Sequence, residues 1–261
     1  MNTAHGKDNS QVIITGTSRG IGYHLALRFL AEGYGVIGIS RSETEINDPG
    51  FSSFKADVGD VDAIHELCAR LKDLTVIGLI NNAGVHGPIG PFEEASMEEW
   101  VKTFYVNLFG GAALSQACIP ALRKNSGFII NFSGGGSAFP RVNFSAYGTC
   151  KTAVVRLSEV MAKELAPEIC VYCVAPGPNR TQLLDEVIRS GEIVPEEDKV
   201  GFEQVENLCL FLARNQDPRY SGKFIHVMDD YPNWGDSQLN GDRHTLRRLD
   251  PRTLRKLQTP D

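Results

Sequence analysis

Hydrophobic positions in this chain form short unbroken runs, separated by longer stretches in which they recur every three or four residues. Six runs read as strands buried on both faces: QVIIT (11–15), YGVIGIS (34–40), TVIGLIN (75–81), GFIINFS (127–133), EICVYCV (168–174) and GKFIHVM (222–228). A shorter one, SSFKADV (52–58), is a seventh. The stretches Ile21–Glu32, Val61–Leu71, Ser96 to about Arg123, Ser145–Leu165 and Phe202–Ala213 carry the helical period. Gly33 stops the first, and Ser96 with Glu99 makes a capping box at the start of the third. Apolar strands alternating with helices predict an α/β fold, a parallel sheet covered on both faces, and right-handed crossovers make it doubly wound. No internal linker, repeat or low-complexity tract interrupts the alternation. The expectation is one domain over residues 1–230, with a C-terminal extension at 231–261.

Composition narrows the class. The 261 residues are 42% hydrophobic and 22% charged, which is ordinary for a folded protein. A net charge of −6 argues against nucleic acid as a partner. No apolar run approaches the roughly 18 residues of a membrane span. The first eleven residues, MNTAHGKDNSQ, contain no apolar segment of a secretory signal, so a cytoplasmic location is expected. Six scattered cysteines fit reduced thiols in a core. Cys170 and Cys173 form a CxxC, but in a strand they point to opposite faces, so no metal or redox pair is expected.

The first strand runs into Thr15-Gly16-Thr17-Ser18-Arg19-Gly20-Ile21-Gly22 and then a helix. Gly16 permits the sharp turn, Gly20 lets the backbone approach a pyrophosphate, and Gly22 lets the helix pack against the sheet. The helix N-terminus then faces the phosphates. The fourth strand closes on Asn81-Asn82-Ala83-Gly84, and Tyr147 and Lys151 stand four apart on one helix face. The sixth strand ends in Val174-Ala175-Pro176-Gly177-Pro178-Asn179-Arg180-Thr181.

These four motifs, in this order between residues 10 and 228, resemble those of the short-chain dehydrogenase/reductase family. The resemblance implies a Rossmann-like, three-layer α/β/α fold with a seven-stranded sheet, a nicotinamide cofactor, and a homodimer or homotetramer. It places Asp57 and Val58 near the adenine, Asn82, Ala83 and Gly84 on the cofactor's floor, and Ser18 and Ile21 in the phosphate loop. It also puts Pro176, Gly177 and Thr181 at the carboxamide. Its YxxxK pair falls on Tyr147 and Lys151, and its active-site Asn on Asn107. Hydride transfer between the cofactor and a carbonyl or secondary alcohol follows. Tyr147 is expected to move the proton, Lys151 to lower its pKa and hold the ribose, and Asn107 to position a water.

Charge bears on the choice of cofactor. NAD sites usually end the second strand in an acid; here that place reads Ser40-Arg41, with no carboxylate before Glu43. Arg41, with Arg19 nearby, suits a 2′-phosphate, so NADP(H) is expected over NAD(H).

One position departs from the family. Its substrate-binding Ser, thirteen before the Tyr, is Gly134 here, inside Ser133-Gly134-Gly135-Gly136-Ser137. Ser133 or Ser137 could swing in, backbone N–H groups could serve, or reduction is feeble; Ser133, at the strand end, is favoured. The alternative is a nucleotide-binding protein with weak or lost catalysis. A third reading, a sugar-nucleotide epimerase or dehydratase, is disfavoured because only about 30 residues follow the last strand.

Residues 178–200 carry six acids and read as a lid. With Arg141, Asn143 and Asn179-Arg180 near the mouth, the expected substrate is a small polar carbonyl compound, sugar-like or phosphorylated. The tail 242–261 has six bases against three acids, and a structural or oligomer role is preferred to covering the pocket or staying solvated.

Overall fold

A computed structural model of the chain describes residues 10–71, 74–240 and 244–246. Seven strands form one parallel sheet: β1 (Gln11–Thr15), β2 (Gly35–Ser40), β3 (Phe51–Lys55), β4 (Val76–Asn81), β5 (Phe128–Phe132), β6 (Cys170–Ala175) and β7 (Phe224–His226). Their order is β3-β2-β1-β4-β5-β6-β7. Eight helices accompany them among the described residues: α1 (Gly20–Ala31), α2 (Val61–Leu71), α3 (Met97–Phe104), α4 (Gly110–Lys124), α5 (Ser145–Glu164), α6 (Gln182–Arg189), α7 (Phe202–Asn215) and α8 (Asp236–Leu239).

Alternation along each strand divides the core into two layers. Val12 and Ile14 of β1 join Leu25 and Phe29 of α1 and Leu208 and Leu212 of α7 on one face. Ile13 points to the other, with Ile64 and Leu67 of α2 and Leu114 and Leu122 of α4. Each of these side chains is almost wholly removed from water, which is worth about 1.5–3 kcal/mol apiece. The same alternation governs β6, where Cys170 and Cys173 enter different clusters. All six cysteines are free.

The chain leaves the β3 edge and returns to pair β4 beside β1, so connections on either side of β1 and β4 run in opposite directions. That switch opens a crevice at the carboxyl ends of the two strands, where doubly wound sheets bind ligands.

The long helical stretch from Ser96 is interrupted. Ser96 caps it as expected, accepting from the Glu99 N–H at 3.4 Å. A widened π turn at Tyr105–Phe109 then separates α3 from α4. Gly110 explains why the packing is so close there: any Cβ would overlap the Val58 carbonyl oxygen. The proposed lid contains a helix, α6, that its charge pattern obscured, and Thr181 caps it by accepting from Leu184 N–H at 3.4 Å. Among the described residues, no helix is long and apolar enough to cross a membrane, and no cluster of metal-ligating side chains occurs.

Of the tail, only His244–Leu246 lies within the described residues. His244 stacks on Trp234 with centroids 4.0 Å apart, and its carbonyl accepts from Phe224 N–H of β7 at 2.7 Å. Arg156 of α5 holds the Leu246 carbonyl. The basic residues Arg243, Arg247, Arg248, Arg252, Arg255 and Lys256 fall outside the described residues.

Candidate active site

Two hollows meet at the carboxyl ends of the strands. The first is a groove of about 180 Å³ along the switch point. Its lining includes Gly16, Ser18, Arg19, Gly20, Ile21, Ser40, Arg41, Asp57, Val58, Asn82, Ala83, Gly84, Ser133, Tyr147, Lys151, Pro176 and Thr181. Gly16 and Gly20 both take positive φ, +77° and +57°, a conformation a side chain resists. A Cβ on Gly22 would overlap the Gly16 carbonyl, so Gly22 shapes the loop from behind without lining the groove. Arg19 caps α1 with no side-chain hydrogen bond, and the first turn carries no acid, which leaves the helix dipole uncompensated.

The floor is stitched by Thr15 and Asn82. Thr15 Oγ1 accepts from Asn82 and Ala83 N–H at 3.0 and 2.9 Å, while Asn82 Nδ2 donates to the Thr15 carbonyl at 2.8 Å. Asp57 accepts from Gly59 N–H at 2.8 Å, fixing the turn after β3. Ser40 is buried and spends its hydroxyl on the Ser42 carbonyl and Thr44. Arg41 and Arg19 are exposed on the rim, and neither forms an ion pair among the described residues. The whole fits a dinucleotide: bare backbone beside a helix N-terminus for phosphates, with two cations on the rim.

The second hollow is a cavity of about 850 Å³. His86, Gly134, Arg141, Tyr147, Asn179 and Val187 contribute to its walls. Gly177 lies on this side, with φ +66° and Val200 packed where a Cβ would stand. Tyr147 is the one titratable residue among those described that borders both hollows.

Tyr147 and Lys151 share a face of α5, as their spacing predicts, but their electrostatic relation differs from expectation. Lys151 Nζ donates to the Phe132 carbonyl at 2.9 Å and lies 5.7 Å from the centre of the Tyr147 ring. Burial pushes the phenol up to about 12, and the cation that opposes this is Arg141. The expectation that Lys151 lowers the Tyr147 pKa is therefore corrected for this conformation. Burial also brings Lys151 down to about 8.

Two further placements depart from the reading above. Ser133 borders the groove and not the cavity; its hydroxyl donates to the Lys151 carbonyl at 3.0 Å, and the residue is 2% exposed. It braces α5 against β5 and offers no proton to a substrate. Ser137 does border the cavity, but donates to the Gly134 carbonyl at 2.7 Å. At Gly134 itself, a Cβ would overlap the Tyr147 hydroxyl, so the phenol occupies the room a side chain would need. Asn107 sits in the π turn with both ends of its amide bound to Val85: Nδ2 to the carbonyl at 2.7 Å, Oδ1 to the N–H at 2.9 Å. Its side chain holds the turn after Gly84, and the amide keeps one N–H and one lone pair beyond these two bonds.

The lid is less polar inside than its composition implies. Leu184 and Val187 of α6 are buried, and Val187 packs with Phe144 and Tyr147. Of its acids, Glu192 and Asp198 border the cavity, and two cross to other segments. Glu192 binds Arg141 in a fork at 2.8 and 2.9 Å, and Glu186 reaches His86 at 3.1 Å. The sequence puts His86 at the edge of the substrate pocket without giving it a role, and it does line the cavity. Its signal was only its place, two residues beyond Asn82-Ala83-Gly84.

A family model described as short chain dehydrogenase matches residues 10–191. The chain belongs to that family, whose members are NAD(P)-dependent dehydrogenases and reductases. It is 28% identical over 244 residues to the short chain dehydrogenase tazN of Aspergillus terreus, an alignment that covers 85% of this chain. The chain spans about half, 52%, of that fungal protein's length. Among solved structures, a putative NAD(P)-dependent gluconate 5-dehydrogenase from Beutenbergia cavernae with bound NADP superposes with a TM-score of 0.78. It is 25% identical, covering 85% of this chain and 96% of that one. A 3-ketoacyl-(acyl-carrier-protein) reductase from Brucella melitensis, complexed with NADH, gives a TM-score of 0.75 at 26% identity, covering 84% and 97%.

Proposed function

We propose that the protein is an NADP(H)-preferring carbonyl reductase or alcohol dehydrogenase acting on a small molecule with polar groups near its reacting carbon. The observation that carries this reading is the position of Tyr147, on the boundary between a groove shaped for a dinucleotide and a cavity large enough for a substrate. When bound, the nicotinamide supplies or accepts the hydride.

The chain's own residues supply the rest. A phenol held near 12 is fully protonated at neutral pH, so Tyr147 Oη is a proton donor to a carbonyl oxygen. Lys151, buried at the groove, holds the ribose hydroxyls and keeps a cation on the Tyr147 side of α5. Gly16, Ser18, Gly20 and Ile21 receive the pyrophosphate, Asp57 and Val58 the adenine, and Thr181 the carboxamide. Arg41 and Arg19 favour a 2′-phosphate; among the described residues Asp57 is the one carboxylate lining the groove, and it is taken by the adenine. Arg141 and His86, with Asn179, Glu192 and Asp198 of the lid, make the cavity polar.

Residues 1–230 act in this reading as one binding and catalytic unit, with 231–261 as an extension. The exposed apolar side chains Val101, Tyr105, Phe109 and Val160 on the long helices favour pairing with a second copy.

One observation favours a second reading, a nucleotide-binding protein with little turnover: Gly134 brings no donor, and Ser133 is engaged elsewhere. A panel of carbonyl compounds with NADPH and NADH, followed at 340 nm, separates the two. Oxidation of NADPH faster than NADH by some member of the panel supports the reductase. Tight NADPH binding with no oxidation across the panel supports the second reading.

A further inference from the structure

We propose that His86, held by Glu186, binds a hydroxyl on the carbon next to the reacting one, so that the substrate is an α-hydroxy carbonyl compound or, in reverse, a vicinal diol. The proposal deepens the reductase reading and rests on it.

The geometry at His86 is unusually determined. The residue is 4% exposed and follows the turn whose backbone Asn107 grips at Val85. Gly87 next to it has φ +71°, and a Cβ there would overlap the Thr103 hydroxyl, so the chain is fixed on that side too. Nδ1 lies 3.1 Å from Glu186 Oε2 of α6. A carboxylate only accepts, so Nδ1 carries the hydrogen and the neutral ring has its lone pair on Nε2. Nε2 has no hydrogen-bond partner among the described residues, and the ring borders the cavity.

The charged and titratable groups around it keep it in this form. Burial lowers its pKa most; Glu186 of α6 raises it, while Arg141 of the 134–144 loop and Lys151 of α5 lower it. Tyr147 of α5 stands edge to face, with ring centroids 4.8 Å apart. The wall of the cavity therefore presents a donor, the phenol, beside an acceptor, the imidazole, and Gly134 borders the same cavity. A ketone oxygen uses the donor and leaves the acceptor unmet. A neighbouring hydroxyl satisfies both, and an unmet buried acceptor is what makes a site reject the analogue that lacks the hydroxyl.

The probes are 3-hydroxy-2-butanone and 2-butanone, reduced with NADPH by wild type and by His86→Phe. Wild type is expected to favour the hydroxy ketone in kcat/KM by about 10²-fold. The ratio falls to about one in the variant, while its NADPH affinity and thermal melt show that it is folded. Equal rates in wild type, or a ratio that survives the substitution, overturn the proposal. If neither ketone is reduced, the reductase reading itself fails on these probes, and imidazole NMR of the NADP-loaded protein decides the His86 proposal by itself. A lone pair on Nε2 whose nitrogen shift moves with 2,3-butanediol but not with 2-butanol supports it. A hydrogen on Nε2, or no response to the diol, overturns it.

Discussion

The groove and the cavity are built on different terms. The groove is made of backbone: glycines in positive φ, the end of β1 tied to the end of β4, and a helix terminus, with side chains added at the rim. The cavity is made of side chains that reach across from segments distant in sequence. His86 meets Glu186 across 100 positions, and Arg141 meets Glu192 across 51. A backbone cradle can receive any dinucleotide of the right shape, whereas pairs of this kind can be exchanged one at a time without disturbing the sheet. On the proposed reading, binding of the cofactor and choice of the substrate are separable in this molecule.

Lys151 lies where the two regions join, and the largest effect is expected there. Lys151→Met should lower the reduction rate by about 10²–10⁴-fold, the worth of two charge-assisted hydrogen bonds to the ribose at about 1.5–3 kcal/mol each. The same change should raise stability, because a buried ammonium is replaced by an apolar chain of similar length. Its folded pKa of about 8 lies below the ordinary 10.5, so the folded state penalises the charged form. The penalty is complete below pH 8 and disappears as pH rises from 8 towards 10.5, amounting to about 3 kcal/mol. The Phe132 carbonyl loses its donor in the variant, which returns about 1 kcal/mol. Urea unfolding at pH 7, 9 and 10 should therefore show wild type gaining on the variant as pH rises. Parallel pH profiles would contradict this.

A change confined to the groove is next in size. Arg41→Ala should weaken NADPH binding by about 10–100-fold, the worth of a charge-assisted hydrogen bond, and leave NADH within about twofold. Equal losses for both cofactors in a calorimetric titration would remove Arg41 from the 2′-phosphate. The smallest effect belongs to the cavity's outer edge. Arg141 and Glu192 are partly exposed, so Glu192→Gln should cost about 0.2–1 kcal/mol, seen as a shift of a few degrees in Tm. A much larger shift would mean that the lid is fastened chiefly there.

The same contrast explains what could be read from the residues alone. The strands other than the exposed edge strand β3, and most helix bounds, were legible because burial on two faces leaves a continuous apolar run. The groove was legible because each of its glycines answers a local steric demand. Gly22 shows the limit: it is required, yet it works from behind the loop. The cavity was not legible in this way. Six acids in 178–200 suggested a polar lid, but composition cannot say that Leu184 and Val187 take the inner face. Ser133 was favoured from its nearness in sequence to Gly134, and that could not reveal that its hydroxyl is turned to the Lys151 carbonyl. Spacing put Lys151 beside Tyr147 correctly. It could not show that the Phe132 carbonyl competes for the ammonium.

The most direct measurement takes one sample of Tyr147→Phe and records NADPH affinity by fluorescence together with carbonyl reduction at 340 nm. The account predicts affinity within about threefold of wild type and a rate lower by about 10²-fold or more, since only the proton donor has been removed. Reduction that continues at the wild-type rate would contradict it.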